Sequence, residues 1–198
     1  FLPSLCLLLP LNISQGVPVF VPGGKVIHNS PIALDSVEIF GLGNSSQIHQ
    51  TYSDATVPYL PFFLLSAPNR PTLGNIGIEI EGFGTVVRDL RITSAPHNRT
   101  YPSGFGLSCG SAINYTVNNI TLEPDPLDAA YAYILNNAGF VFGGGGFWAV
   151  NCSGGVFSNS FVHWTYADAI HFDYLCQDSV AFGNRYISFC RSYDILFT

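Results

Sequence analysis

Ser153-Gly-Gly-Val-Phe-Ser-Asn-Ser-Phe-Val162 returns, altered but recognisable, as Ser179-Val-Ala-Phe-Gly-Asn-Arg-Tyr-Ile187. Val156 aligns with Val180, Asn159 with Asn184, Phe161 with Tyr186 and Val162 with Ile187, at offsets of 24 to 25 residues. Upstream, Val86-Val-Arg-Asp-Leu-Arg-Ile92 and Tyr115-Thr-Val-Asn-Asn-Ile-Thr-Leu122 have the same character. An irregular period of this length fits one pass of a solenoid, with loops absorbing the differences. A single pass cannot bury its own apolar face, so successive passes stack in parallel and share one core.

Working outward, Val17-Pro-Val-Phe-Val21, Val37-Glu-Ile-Phe40 and Ile76-Gly-Ile-Glu-Ile80 read as further short strands between Gly, Pro, Asn and Ser clusters. No amphipathic helix of useful length stands out. A two-sheet sandwich is the competing fold, but it favours tight hairpins, and the chain has no Asn-Gly or Asp-Gly turn. The expectation is an all-β parallel solenoid, one domain over residues 1–198.

Composition narrows the function. Charged residues make up only 10% of the 198, against about 25% in an average soluble domain, and hydrophobic residues 47%. So little charge fits a surface partly covered by glycan or by a neighbouring molecule. The net charge is −6 and Lys25 is the single lysine, so no basic cluster exists to neutralise nucleic-acid phosphates. No apolar run reaches the roughly 18 residues that span a bilayer. Phe1–Leu11 reads either as the end of a signal peptide's apolar region or as a buried first strand of a longer protein. Tyr193-Asp-Ile-Leu-Phe-Thr198 is as apolar and uncapped as the start, so the reading is a fragment of a longer solenoid or a piece that associates end to end.

Six Asn-x-Ser/Thr sequons, at Asn12, Asn44, Asn98, Asn114, Asn119 and Asn151, point to N-linked glycans and a secreted, extracellular protein. The five cysteines fit an oxidising compartment. Cys152 and Cys176 are one pass apart, so stacked passes would make them a disulfide or a pair of neighbouring buried thiols.

Gly16-Val-Pro-Val-Phe-Val-Pro-Gly-Gly-Lys25, then Ser30-Pro-Ile-Ala-Leu34, Val37-Glu-Ile-Phe-Gly-Leu-Gly43 and Ser46-Gln-Ile48, resemble the opening passes of the pectate-lyase-like superfamily. The resemblance implies a right-handed parallel β-helix, with Gly41 and Gly43 at a sharp turn between sheets and Pro22, Gly23 and Gly24 breaking a strand. Val26 stands where the family often has Tyr. A second stretch, Asn159-Ser-Phe-Val-His-Trp-Thr-Tyr-Ala-Asp-Ala-Ile-His-Phe172, is similar to the Thr-x-Ala-Asp-Gly-Ile-Asn segment of β-helical glucan hydrolases of the α-1,3-glucanase and mycodextranase group. Here Ala169 replaces the Gly and His171 the Asn, and Ser192-Tyr-Asp-Ile-Leu196 stands where a paired Asp-Asp-Gly is expected. The implied activity is glycoside hydrolysis or lysis of a polysaccharide substrate; the alternative is a non-catalytic structural glycoprotein forming a surface layer or filament.

Asp168 and Asp194 are the leading catalytic carboxylates. They are 26 residues apart, about one pass, and glycoside hydrolysis needs two carboxyls roughly 5 to 9.5 Å apart. The same residues also suit local turns, where Asp bonds backbone N–H groups. His171, Asp173 and Asp178 are secondary candidates, His171 facing a cleft while Phe172 faces the core, or else serving as a structural histidine. Trp148, Trp164 and Tyr166 fit either sugar platforms or core. Glu123-Pro-Asp-Pro-Leu-Asp128 reads better as a solvated turn than as a calcium loop. The scattered histidines have no zinc spacing, and no metal or cofactor is expected.

Overall fold

The structure, a computed structural model, describes residues 12–14, 16–28, 32–50, 78–94, 107–124, 146–163, 169–172, 175–187 and 195–197. The strands run in chain order β1 (Asn12–Ser14), β2 (Val19–Phe20), β3 (Gly24–His28), β4 (Ile32–Asp35), β5 (Glu38–Gln50), β6 (Ile78–Glu81), β7 (Val86–Ser94) and β8 (Leu107–Gly110). They continue as β9 (Thr116–Pro124), β10 (Phe147–Val150), β11 (Val156–Ser158), β12 (Phe161–His163), β13 (Ile170–Phe172), β14 (Val180–Phe182), β15 (Arg185–Ile187) and β16 (Ile195–Phe197).

These strands form two parallel sheets, visited alternately by the chain. The first is ordered β1-β4-β6-β8-β10-β13-β16 and the second β14-β11-β9-β7-β5-β2, with β3, β12 and β15 pairing alongside. Each pass therefore hydrogen-bonds to the pass before and the pass after.

Strand side chains alternate between faces, so an in-register parallel stack lines like positions into rows. In the first sheet Ile32, Ile78, Leu107, Phe147 and Ile170 form one inward row, and Leu34, Ile80, Cys109, Ala149 and Phe172 the next. The second sheet answers with Ile39, Val87, Val117 and Phe157, and with Val26, Ile48, Ile92, Leu122 and Val162. The Phe147 and Phe157 rings meet across the core at 4.8 Å between centroids. Fully burying each such side chain is worth about 1.5–3 kcal/mol, and the repetition of rows explains why short strands suffice.

The passes turn at residues in the left-handed backbone region. Ser36, Gly82, Ser111, Asn151 and Leu175 follow strands of the first sheet. Gly84, Asn114, Gly154 and Asp178 lead into the second. A third set, Asp89, Asn119, Asn159 and Gly183, bends the second sheet midway. Such φ values cost ordinary L-residues energy, whereas Gly, Asn and Asp adopt them more readily. At Gly154 and Gly183 a side chain is excluded for a second reason: a Cβ would collide with Oδ1 of Asn114 and of Asn159 in the adjacent pass.

Three sequence expectations change. The register between the last repeats is a constant 24 residues: Val156 pairs with Val180, but Phe161 pairs with Arg185, Val162 with Tyr186 and His163 with Ile187. A one-residue slip would exchange inside and outside, and the structure instead packs Tyr186 against the core beside Val162. Gly41 and Gly43 do not turn the chain between sheets; they lie inside β5, where the pairing with β7 shifts register and the second sheet bends. A Cβ on Gly41 would crowd Ser46 and Leu90. Finally, Cys152 is bonded to Cys109, 43 residues away with 6.7 Å between Cα atoms, and not to Cys176. Both bridged residues point into the core from neighbouring parts of one pass-to-pass contact, whereas the Cys176 Sγ lies 3.3 Å from the Ala149 carbonyl.

Candidate functional site

Of the sequence-selected candidates, His171 and Asp178 fall among the described residues, and His171 lies on the outward face of the first sheet. Ile170 and Phe172 enter the core, so His171 projects from the opposite side of β13. It stands in register with Trp148 of β10, which is in register with Ser108 of β8. This row has no core to fill, yet Ser108, Trp148 and His171 are 2%, 3% and 2% exposed. The face is enclosed across these three passes. Trp148 is therefore not an open platform, and His171 sits in an enclosed setting and not in an open cleft.

Asp168, Asp173 and Asp194, with Trp164 and Tyr166, lie outside the described residues. Ile170 pairs with Ile195, an offset of 25 residues. Asp178 is an exposed corner residue with φ 52°.

Two polar clusters on the second sheet escaped the sequence reading, because only register brings their members together. Beyond the bend, Arg91 donates through Nε to Glu123 Oε1, and His163 Nδ1 lies 3.2 Å from Glu123 Oε2. The Thr93 hydroxyl beside them takes Gln47 Nε2 and meets His49 Nδ1, each at 2.8 Å. Glu123, 32 residues from Arg91 and 40 from His163, is thus tied to strands β7 and β12, so it belongs to β9 and not to the solvated turn read from the sequence; Asp125 and Asp128 lie outside the described residues. With both oxygens engaged it staples passes together and offers no carboxyl to a substrate; partly exposed pairs of this kind contribute about 1 kcal/mol or less.

Before the bend, Arg88 donates Nε to Glu38 and Nη1 to Asp89, both at 2.7 Å, and lies over the Phe40 ring. The Asn119 amide donates to the other Asp89 oxygen at 2.7 Å. That bond, with help from Arg88 and against the cost of desolvation, holds the Asp89 carboxyl below its usual range. The same carboxylates push the Arg88 guanidinium still higher.

The described sequons follow the corners. Asn44, Asn114, Asn119 and Asn151 are exposed, while Asn12 lies in β1 and Asn98 outside the described residues. In Asn114-Tyr-Thr116, Asn119-Ile-Thr121 and Asn151-Cys-Ser153 the Asn takes the left-handed turn, the middle residue enters the core and the hydroxyl residue faces out. The fold favours Asn at the first position and a β-compatible polar residue at the third. Three sequons thus have a structural origin whether or not a sugar is attached.

No family model matches the chain, and no curated protein matches it in sequence. Among the described residues no group of three His, Cys, Asp or Glu side chains could hold a metal, and no helix is long and apolar enough to cross a membrane.

Proposed function

We propose that the chain is a right-handed parallel β-helix of the pectate-lyase-like superfamily, secreted and N-glycosylated, acting on polysaccharide as a relative of glycoside hydrolases and lyases. The observation that supports this best is the stack of parallel strands in two sheets, an architecture compatible with the β-helix the resemblance implies, with His171 on the outward side of β13. In the sequence, Asp168 stands two residues before β13, the strand bearing His171, and Asp194 immediately before β16, the strand paired with β13.

A second reading, a non-catalytic structural glycoprotein, draws on a different observation. Glu38, Asp89 and Glu123 are all bonded to arginines that staple neighbouring strands or the bend. Their chemistry is spent on the scaffold.

The two readings part on one experiment. Purified protein is incubated with neutral and acidic polysaccharides while reducing ends and unsaturated products are followed. Wild type should release products, and Asp168→Asn should lower the rate about 100-fold or more, the loss expected when a general acid or base is removed, with an unchanged circular dichroism spectrum. A folded wild-type protein inert on the whole panel contradicts the enzyme reading and leaves the structural one.

A further inference from the structure

The second sheet carries another row, on its outward face before the bend, that neither the core nor the enclosed site explains. Phe20, Phe40, Arg88, Asn118, Ser158 and Phe182 stand in register on successive strands. Five strand-to-strand steps of about 4.8 Å make it roughly 24 Å long. Phe20 and Phe182, at its two ends, are 49% and 54% exposed. The Phe20 and Phe40 rings lie 5.4 Å apart, and Arg88 Cζ is 4.7 Å from the Phe40 centroid. Between the aromatic ends the row is polar: Arg88 is followed by Asn118, whose Nδ2 donates to the Ser158 hydroxyl at 2.8 Å.

We infer that this row is a binding track for a neutral oligosaccharide. The inference rests on the polysaccharide reading above, and adds a surface on the other sheet from Ser108, Trp148 and His171. Sugar rings have apolar C–H faces and hydroxyl rims, and the row offers a match to both: exposed rings at its two ends to stack on, and the partly exposed Asn118 amide between them for a rim. A protein partner would favour an apolar centre depleted of charge, whereas here the charge sits at the centre and the rings at the ends. Charge also selects among glycans. Arg88 is held between Glu38 and Asp89, so the row has no uncommitted cation, and the chain's net charge is −6. A polyanion such as polygalacturonate is repelled by that field; a neutral chain is not.

The test is affinity electrophoresis and calorimetry with soluble β-glucan, dextran and polygalacturonate on wild type, Phe20→Ala, Phe182→Ala and the double variant, each checked for folding. Wild type should bind a neutral glycan and ignore polygalacturonate, and the double variant should bind at least tenfold more weakly. Saturation-transfer NMR on wild type, irradiating aromatic protons, should reach the sugar C–H protons; it supplies the answer even if a variant fails to fold. A double variant that binds as wild type does, with no aromatic transfer, overturns the track while leaving the first-sheet reading standing. Preference for polygalacturonate, or loss of self-association in place of glycan binding in the double variant, overturns it too. A wild type that binds no glycan overturns both readings.

Discussion

Replacing Asn119 separates what the corner needs from what a glycan needs, because Asn119 both bends the second sheet and heads a sequon. Its φ is 49° and its amide donates to Asp89 at 2.7 Å. Asn119→Ala places an L-residue with no local hydrogen bond in the left-handed region, at about 1 kcal/mol, and removes a bond to a carboxylate worth about 1.5 kcal/mol at this exposed position. The expected loss is about 2.5 kcal/mol. Asn119→Gly suffers only the lost bond and a little chain entropy, about 2 kcal/mol. Thr121→Val destroys the sequon and breaks only the exposed bond from Thr121 to Asn44, about 0.5 kcal/mol. Urea unfolding followed by circular dichroism, on protein from a host that does not glycosylate, should rank the losses Ala, Gly, Val. Gly as damaging as Ala would refute the backbone reasoning. Thr121→Val matching Asn119→Ala, only in glycosylated material, would show that the sugar and not the corner is what matters.

Other outcomes follow from the same structure. Removing the Cys109–Cys152 bridge with a double Ala substitution should cost about 4 kcal/mol for a 43-residue separation by the chain-entropy relation; peptide mapping under non-reducing conditions should find this bridge and not one to Cys176. Gly155→Ala should destabilise by about 1–3 kcal/mol, because its Cβ would stand in the Tyr115 ring of the preceding pass, and Tyr115→Val in the same chain should recover part of the loss. Asp89 is held below its ordinary value of 3.8, so its stabilising contribution is present above that pH and fades as pH falls further through the folded value; Asp89→Asn should flatten acid unfolding below about pH 4. Burial pushes the Tyr115 phenol up, so its contribution is present below about pH 10 and is lost on going higher; in an alkaline absorbance titration one tyrosine should ionise only as the protein unfolds.

Strand positions were legible in the sequence because apolar alternation is local. Val86–Ile92 and Tyr115–Leu122 became β7 and β9, and Ser153–Val162 became β11 and β12. What could not be read was anything depending on register to within one residue. Phe161 and Tyr186 look alike, but a pattern with a period of two cannot place one on the other when a left-handed residue intervenes at Asn159 and at Gly183. The same limit hid the bridge: Cys109 and Cys152 are not one pass apart in sequence terms, since the intervening segment lengthens that pass. The staple of Arg91, Glu123 and His163 has no motif at all. Six sequons point to secretion, yet in three of them, at Asn114, Asn119 and Asn151, the turn, inward, outward rhythm also favours Asn-x-Ser/Thr for reasons of packing.

Every row, corner and face described above depends on passes stacked in parallel, and paired spin labels across the 24-residue register of the last two passes of the second sheet measure that directly. Nitroxides are attached at Val156 and Val180, and in a second protein at Phe161 and Arg185, in a background whose other thiols are replaced and whose Cys109–Cys152 bridge is kept. Both pairs sit on neighbouring parallel strands about 4.8 Å apart, so both spectra should show strong spin–spin broadening at low temperature. Antiparallel pairing brings together at most one of the two pairs, and a sandwich separates them. A sharp, unbroadened spectrum from either folded protein would contradict the parallel stack on which the whole account stands.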